Sequence, residues 1–105
     1  MSYTKFEYSN LIINKLNGTI AVSVDVKNIG DYDGDEVVQF YLRDEYATIT
    51  PAEKLLKGFK RIFISINETQ HITFTIPTEN LEPGEFTIMV GASSDDIRLK
   101  EKIEI

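Results

Sequence analysis

Hydrophobic and polar residues alternate along most of this chain, and the clearest alternation lies between Thr19 and Arg43. In its first run every second position is aliphatic: Ile20, Val22, Val24 and Val26. A second run repeats the pattern at Val38, Phe40 and Leu42. A period of two predicts strands with one buried face, and β-branched and aromatic residues favour that structure. Because the stretch between the runs is rich in Asn, Gly and Asp, we interpret it as a turn that joins a central antiparallel strand pair.

Further segments alternate in the same way, at residues 5–16, 55–66, 72–76, 86–90 and 97–105. The parity of the apolar positions shifts near Ser9 and Asn10, which predicts a bulge or kink there, and again near Gly58, where a bulge or bend could correct it. Asn17 and Gly18 predict a tight hairpin, and Glu101 on the apolar face of the last segment predicts an edge strand or a twisted one. Turns about 8–12 residues apart favour an all-β fold, an immunoglobulin-like or fibronectin type III-like antiparallel β-sandwich of about seven strands.

Length and composition restrict the class of protein further. The chain has 105 residues and an apolar fraction of 42%, which suits one globular domain. It contains no cysteine, so disulfides and thiolate metal sites are excluded. Its net charge of -6 repels phosphate backbones and anionic lipids, which argues against nucleic-acid and membrane partners. No apolar run approaches the roughly 20 residues of a membrane-spanning helix.

The densest acidic cluster lies between the two central runs. Asp31, Asp33 and Asp35 are weak candidates for a calcium site, because calcium prefers several oxygen ligands. Their spacing departs from that of an EF-hand loop, in which the glycine comes later than Gly34 does here. In the alternative interpretation, which we favour, these carboxylates accept hydrogen bonds from backbone N–H groups of a solvated turn. No cofactor is expected.

The chain offers little for catalysis. His71 is the only histidine and lies on the polar face of its predicted strand, so a histidine metal centre or a Ser-His triad lacks partners. Paired carboxylates can hydrolyse glycosides only across a cleft, and a small sandwich has no evident one. We therefore expect no catalytic residue. Asn17 and Asn67 each begin an N-glycosylation sequon in a predicted turn.

Several motifs in a fixed order carry a family resemblance. The pattern N-x-G-x-x-x-G-D-E-V-V-Q-x-Y runs from Asn28 to Tyr41, and L-K-G-F-K-R follows at residues 56–61. Later come P-G-E-F at 83–86, V-G-A-S-S at 90–94 and D-I-R-L at 96–99. In order and spacing the chain resembles the fibronectin type III-like domain at the C-terminal end of glycoside hydrolase family 3 enzymes, such as β-glucosidases and β-xylosidases. The segment before Pro83 is shorter than is usual in that family.

The resemblance implies a role without catalysis. In that family the nucleophile and the acid/base carboxylate lie in upstream domains, so neither is carried over to this chain. Residues 1–105 are then one accessory domain, excised from a larger enzyme, that packs against and stabilises the catalytic domains of the same polypeptide. The alternative is a stand-alone carbohydrate-binding or adhesin-like module. Since aromatic residues and Arg are enriched at interfaces, the packing candidates are Tyr3, Phe6, Tyr41, Leu56, Phe59 and Arg61.

Overall fold

The computed structural model describes residues 5–44, 54–78, 84–93 and 95–104. These ranges contain the strands β1 (Phe6–Leu16), β2 (Thr19–Asn28), β3 (Gly34–Asp44), β4 (Lys54–Ile64), β5 (Thr69–Pro77), β6 (Glu85–Ser93) and β7 (Asp96–Glu104). A three-stranded sheet in the order β1-β2-β5 packs on a four-stranded sheet in the order β4-β3-β6-β7, and all neighbours are antiparallel. The prediction of an all-β antiparallel sandwich is confirmed, and β7 is an edge strand as expected. None of the described residues belongs to a helix long and apolar enough to cross a bilayer.

The turn between β2 and β3 joins strands of different sheets, so the expectation of a central paired hairpin is wrong. β2 is the middle strand of the three-stranded sheet, whereas β3 is an inner strand of the four-stranded sheet. Their apolar faces meet in one core, in which Val24 and Phe40 are both fully buried. A period of two identifies the buried face of a strand, but it carries no information about which strand lies beside it.

The hydrophobic core fills the space between the two sheets. The rings of Phe40 in β3 and Phe74 in β5 stack with their centroids 4.9 Å apart, so they link one sheet to the other. A Cβ atom added to Gly58 in β4 would overlap the ring of Phe74, which explains why a glycine lies there. The buried core consists of Phe6, Tyr8, Ile20, Val22, Val24, Val26, Val38, Phe40, Leu42, Ile64, Ile72, Ile76, Phe86, Ile88 and Val90.

Both bulges predicted from the parity shifts are present. In β1 the register against β2 shifts within residues 9–12, where Asn10 adopts a φ of 53°. In β4 the register against β3 shifts beside Gly58, and Lys57 is the extra residue. The predicted hairpin after β1 is also present, with Gly18 at a φ of 80°. Each bulge moves the following residues by one position, which returns apolar side chains to the core face.

Asn28 closes the end of the sandwich where β2 leaves the core. Its side chain is fully buried, and Nδ2 donates hydrogen bonds to the carbonyl oxygens of Tyr32 at 2.7 Å and Ile64 at 2.9 Å. Its Oδ1 accepts a hydrogen bond from the N–H of Gly30 at 2.9 Å, the pattern of an Asx-turn. Since both amide protons are used inside the protein, this side chain fixes the path from one sheet to the other.

Candidate functional site

The outer face of the four-stranded sheet carries three large exposed apolar side chains on β4. Leu56, Phe59 and Phe63 are 52%, 62% and 58% exposed, and we call these three residues the apolar strip. The adjacent residue Ile64 is fully buried in the core, so the alternation along the strand turns Phe63 toward solvent. Exposed apolar residues that are grouped, rather than scattered singly, mark surfaces that contact another protein surface.

The structure separates the six predicted packing residues. Leu56, Phe59 and Arg61 are exposed on β4, as a contact surface requires. Phe6 and Tyr41 are buried within the domain, so the expectation that their side chains reach a partner is corrected. The sixth candidate, Tyr3, lies outside the described residues.

Neighbouring strands explain the burial of Tyr41. This residue lies on the outer face of the sheet, but Leu56 and Met89 flank it directly across the two neighbouring strands. Its hydroxyl also donates a hydrogen bond to Oε1 of Gln39. Side chains on central strands are covered by their cross-strand neighbours, which parity alone does not reveal. Sequence reasoning also missed Phe63, although its spacing from Phe59 places both on one face of β4.

The outer face of the three-stranded sheet is polar at its centre, although Ile12 and Leu16 of the edge strand β1 are exposed on it. His71 Nδ1 lies 2.6 Å from Asp25 Oδ1, and Asn10 Nδ2 donates to Asp25 Oδ2 at 2.8 Å. The hydrogen bond from Asn10, followed by the one with His71, lowers the pKa of Asp25 below its ordinary value. On the same face the hydroxyls of Ser23 and Thr73 lie 3.2 Å apart. His71 is exposed, as predicted, and this face suits contact with water.

A second polar group ties the two sheets together where β1 begins. The hydroxyl of Tyr8 donates to Glu36 Oε2 at 2.9 Å, and the guanidinium of Arg98 lies over the Tyr8 ring, 5.4 Å from its centroid. Arg98 also donates to the carbonyl oxygen of Phe6 at 2.9 Å and to Asp96 Oδ1 at 2.7 Å. Burial, and then the carboxylate of Glu36, raise the pKa of Tyr8 above its ordinary value.

This polar group lines a cleft of about 490 Å³, whose walls include Asp35, Glu36 and Arg98. The carboxylate of Glu36 also accepts a hydrogen bond from the N–H of Val37 at 3.2 Å, and Asp35 binds Arg61, so Asp35, Glu36 and Arg98 are all engaged within the protein. The phenol of Tyr8, whose pKa is raised further above its ordinary value of 10.0, stays protonated at neutral pH and keeps donating to Glu36. The arrangement joins β1, β3 and β7 rather than supplying a pair of groups for proton transfer.

The carboxylates of Asp33 and Asp35, in the acidic segment after β2, bind different partners rather than one common point. Asp33 Oδ1 accepts a hydrogen bond from the N–H of Ile66 at 2.8 Å, whereas Asp35 Oδ2 binds Arg61 Nη2 at 3.1 Å. Over the described ranges no group of three or more His, Cys, Asp or Glu side chains could hold a metal ion. These contacts favour the interpretation of the calcium candidates as carboxylates that serve the turn and the sheet.

Comparison with known proteins gives consistent matches. A family model for the fibronectin type III-like domain matches residues 36–82. Thermostable β-glucosidase B of Acetivibrio thermocellus is 40% identical over 100% of the chain, and a β-xylosidase of Formosa agariphila is 44% identical over 93% of it. A crystal structure of the β-glucosidase of Kluyveromyces marxianus in complex with glucose matches 100% of the chain with a TM-score of 0.91 and 31% identity.

The chain spans only a small part of these similar proteins. It covers 16% of the Acetivibrio and Formosa proteins and 14% of the Kluyveromyces structure. The same holds for β-glucosidase 3B of Thermotoga neapolitana, where the chain covers 16% of the structure with a TM-score of 0.90 and 31% identity. In each of these proteins, the matched segment accompanies a much larger remainder.

Proposed function

The chain belongs to the fibronectin type III-like domains of family 3 glycoside hydrolases, and from this premise we propose that it serves such an enzyme as its C-terminal accessory domain. It performs no catalysis. The carboxylates that cleave the glycosidic bond lie in the remainder of the parent polypeptide, which acts on β-glucosides or β-xylosides. The domain packs against the catalytic domains of that polypeptide and stabilises them.

The match of the whole chain to 16% of much longer β-glucosidases and β-xylosidases carries this proposal. The apolar strip supports it, because a solvated domain gains nothing from Phe59 and Phe63 on its surface, whereas an interface buries them. Arg61 lies between these two residues along β4, and aromatic residues and Arg are the side chains enriched at interfaces. The polar outer face of the three-stranded sheet then remains in contact with solvent.

Because the domain and the surface on which it docks belong to one polypeptide, a contact of modest affinity is sufficient for docking. Full burial of a large apolar side chain contributes roughly 1.5–3 kcal/mol, so the three residues of the apolar strip supply several kcal/mol before the cost of docking is subtracted. Because both surfaces belong to one polypeptide, each meets the other at an effective concentration in the millimolar range. The docked arrangement therefore needs no high intrinsic affinity.

The test compares two double variants of the full-length protein that contains this chain. Phe59→Ser with Phe63→Ser removes the two aromatic residues of the apolar strip, and the control, Ile12→Ser with Leu16→Ser, removes two exposed apolar residues from β1. We expect the first pair to shorten the half-life of thermal inactivation severalfold in the full-length protein, while the unfolding midpoint of the isolated 105-residue chain stays near that of the wild type. Equal half-lives for both pairs would overturn the proposal.

A titration separates this role from that of a carbohydrate-binding module. The 105-residue chain is labelled with ¹⁵N and titrated with cello- and xylo-oligosaccharides at millimolar concentrations. An accessory domain that docks on its own polypeptide is expected to show no saturable change in amide shifts. Saturable changes clustered on one face would favour the module instead.

A further inference from the structure

The turn between β1 and β2 consists of Asn17 and Gly18 and lies at one end of the three-stranded sheet. The strand pairing ends where Leu16 lies opposite Thr19, so the two turn residues are outside the ladder of paired residues. Both are exposed, and Gly18 adopts a φ of 80°. An Asn-Gly pair is typical of tight turns, because glycine takes a positive φ without strain.

An asparagine that precedes glycine can react with its own backbone, and asparagine is one of the thermolabile side chains. The backbone nitrogen of Gly18, after losing its proton, attacks Cγ of Asn17 and forms a C–N bond, while the bond from Cγ to Nδ2 breaks. The side-chain nitrogen leaves as ammonia, and a five-membered succinimide ring remains. One water molecule then opens the ring at either carbonyl and gives an aspartate or, when the chain continues through Cγ, an isoaspartate. The reaction exchanges one ammonia for one water and needs no oxidant, reductant or cofactor.

The surroundings of Gly18 leave room for this reaction. Among the described residues, no heavy atom lies within 4 Å of the position that a Cβ atom on Gly18 would occupy. The carbonyl oxygen of Gly18 accepts a hydrogen bond from the N–H of Thr78 at 3.0 Å, and this bond does not involve the nitrogen of Gly18. Glycine also has no side chain to hinder the approach of its nitrogen to Cγ of Asn17. The nitrogen that must attack therefore lies in an exposed and sterically open turn.

Two other asparagines show the opposite arrangement. The nitrogen of Ile29, which follows Asn28, donates a hydrogen bond to a backbone carbonyl oxygen at 2.9 Å. The nitrogen of Glu68, which follows Asn67, donates to the carbonyl oxygen of Ser65 at 2.9 Å. Each of these nitrogens must give up its hydrogen bond before it can attack, which costs free energy. The remaining asparagines of the sequence also precede residues larger than glycine, so the turn between β1 and β2 is singled out twice.

We propose that Asn17 is a site of spontaneous modification in the folded protein, where its amide is converted into the carboxylate of an aspartate or isoaspartate. Each conversion adds one negative charge to a chain whose net charge is already -6. An isoaspartate also lengthens the backbone by one carbon atom between the last paired residues, Leu16 and Thr19. The longer backbone loosens the hairpin and the hydrogen bond from Thr78 to Gly18. Because the turn belongs to the three-stranded sheet and the apolar strip to the other one, this inference does not depend on the proposed accessory role.

The first test follows the mass of one peptide. Trypsin releases residues 16–27, in which Asn17 carries the only side-chain amide. The full-length protein that contains this chain is kept folded at mildly alkaline pH, where more of the backbone nitrogen is deprotonated, and samples are digested over time. We expect this peptide to gain one mass unit before Asn28 or Asn67 is converted, and to accept a methyl group from isoaspartyl methyltransferase. A peptide that keeps its mass over the time in which a synthetic peptide of the same sequence is converted would overturn the inference.

The second test separates the structure of the turn from the dipeptide itself. Glu68→Gly places a second Asn-Gly pair in the turn before β5, where the nitrogen of residue 68 donates to Ser65. Fragmentation of the peptides locates each gain of mass. In the folded full-length variant we expect Asn17 to react severalfold faster than Asn67, whereas in urea that unfolds the protein the two rates converge. Equal rates at the two sites in the folded variant would show that the open turn does not select Asn17, and the inference would fail.

Discussion

The side-chain amide of Asn28 in β2 donates a hydrogen bond to the carbonyl oxygen of Ile64 in β4 at 2.9 Å and thereby joins the two sheets. The backbone of Asn28 is engaged as well, because its N–H donates to the carbonyl of Glu68 and its carbonyl accepts from the N–H of Asn67, both at 3.0 Å. One residue thus connects β2, the end of β4 and the turn before β5. A buried polar network stabilises a unique fold when each of its members is satisfied, as this side chain is.

Replacing this side chain should be costly. We expect Asn28→Ala to lower the free energy of unfolding by about 2–4 kcal/mol, because the buried carbonyl of Ile64 and the part-buried carbonyl of Tyr32 lose their donor and a cavity remains. Urea denaturation followed by circular dichroism measures the change. Asn14→Ala, at an exposed position on β1, is the control and should stay within about 0.5 kcal/mol of the wild type. Equal midpoints for the two variants would contradict the assigned role.

The sequence predicted which residues face the core better than it predicted which strands meet. Alternation identified the buried faces of β2 and β3, because burial follows from the chemistry of each side chain and the pleat of its own strand. Strand pairing depends on long-range contacts, so the assignment of β2 and β3 to different sheets did not follow from their pattern. The hydrogen bonds of Asn28 were equally hidden, since the N-x-G motif indicates a turn but not the distant carbonyl of Ile64 that it binds.

The exposure of some residues on the candidate surface could likewise be predicted from the sequence, whereas the burial of others could not. The exposure of Phe59 could be predicted, because its parity differs from that of the core positions on β4. The burial of Tyr41 could not, since it depends on Leu56 and Met89 in the neighbouring strands.

The hydrogen bond from Tyr8 to Glu36 should make stability depend on pH in alkaline solution. Burial raises the pKa of Tyr8 above its ordinary value of 10.0, so the unfolded chain releases this proton first. The stabilisation is complete below about pH 10 and is lost as the pH rises above it, by up to about 1.4 kcal/mol per pH unit. We expect Tyr8→Phe to be about 1 kcal/mol less stable at pH 7 and to lose stability less steeply above pH 10.

The reference for this prediction is the wild-type chain. The free energies of unfolding of both proteins are measured by urea denaturation at several pH values. The role given to Tyr8 would be contradicted if Tyr8→Phe and the wild type lost stability with the same slope above pH 10.

The hydrogen bond from Asn10 to Asp25 should be visible in an acid titration. Asn10 has a φ of 53°, which glycine adopts without strain, so Asn10→Gly removes the side chain and preserves the bulge. We expect the pKa of Asp25, followed by NMR, to rise toward 3.8 in this variant. The hydrogen bonds to the ionised carboxylate of Asp25 stabilise the wild-type fold, and this stabilisation is lost as the pH falls through the lowered pKa. The variant lacks the hydrogen bond from Asn10, so it should lose less stability on acidification, by under about 1 kcal/mol. An unchanged titration of Asp25 would contradict the assigned hydrogen bond.

The ring of Phe74 leaves no room for a side chain at position 58. Gly58→Ala places a methyl group where the ring of Phe74 lies, and because that ring stacks on Phe40 it cannot move without disturbing the core. We expect the substitution to cost roughly 1–3 kcal/mol, measured by urea denaturation. A smaller side chain in the facing strand should relieve the overlap, so Gly58→Ala should cost much less when it is introduced into Phe74→Leu. Additive losses in this double-mutant cycle would show that the two residues do not compete for the same space.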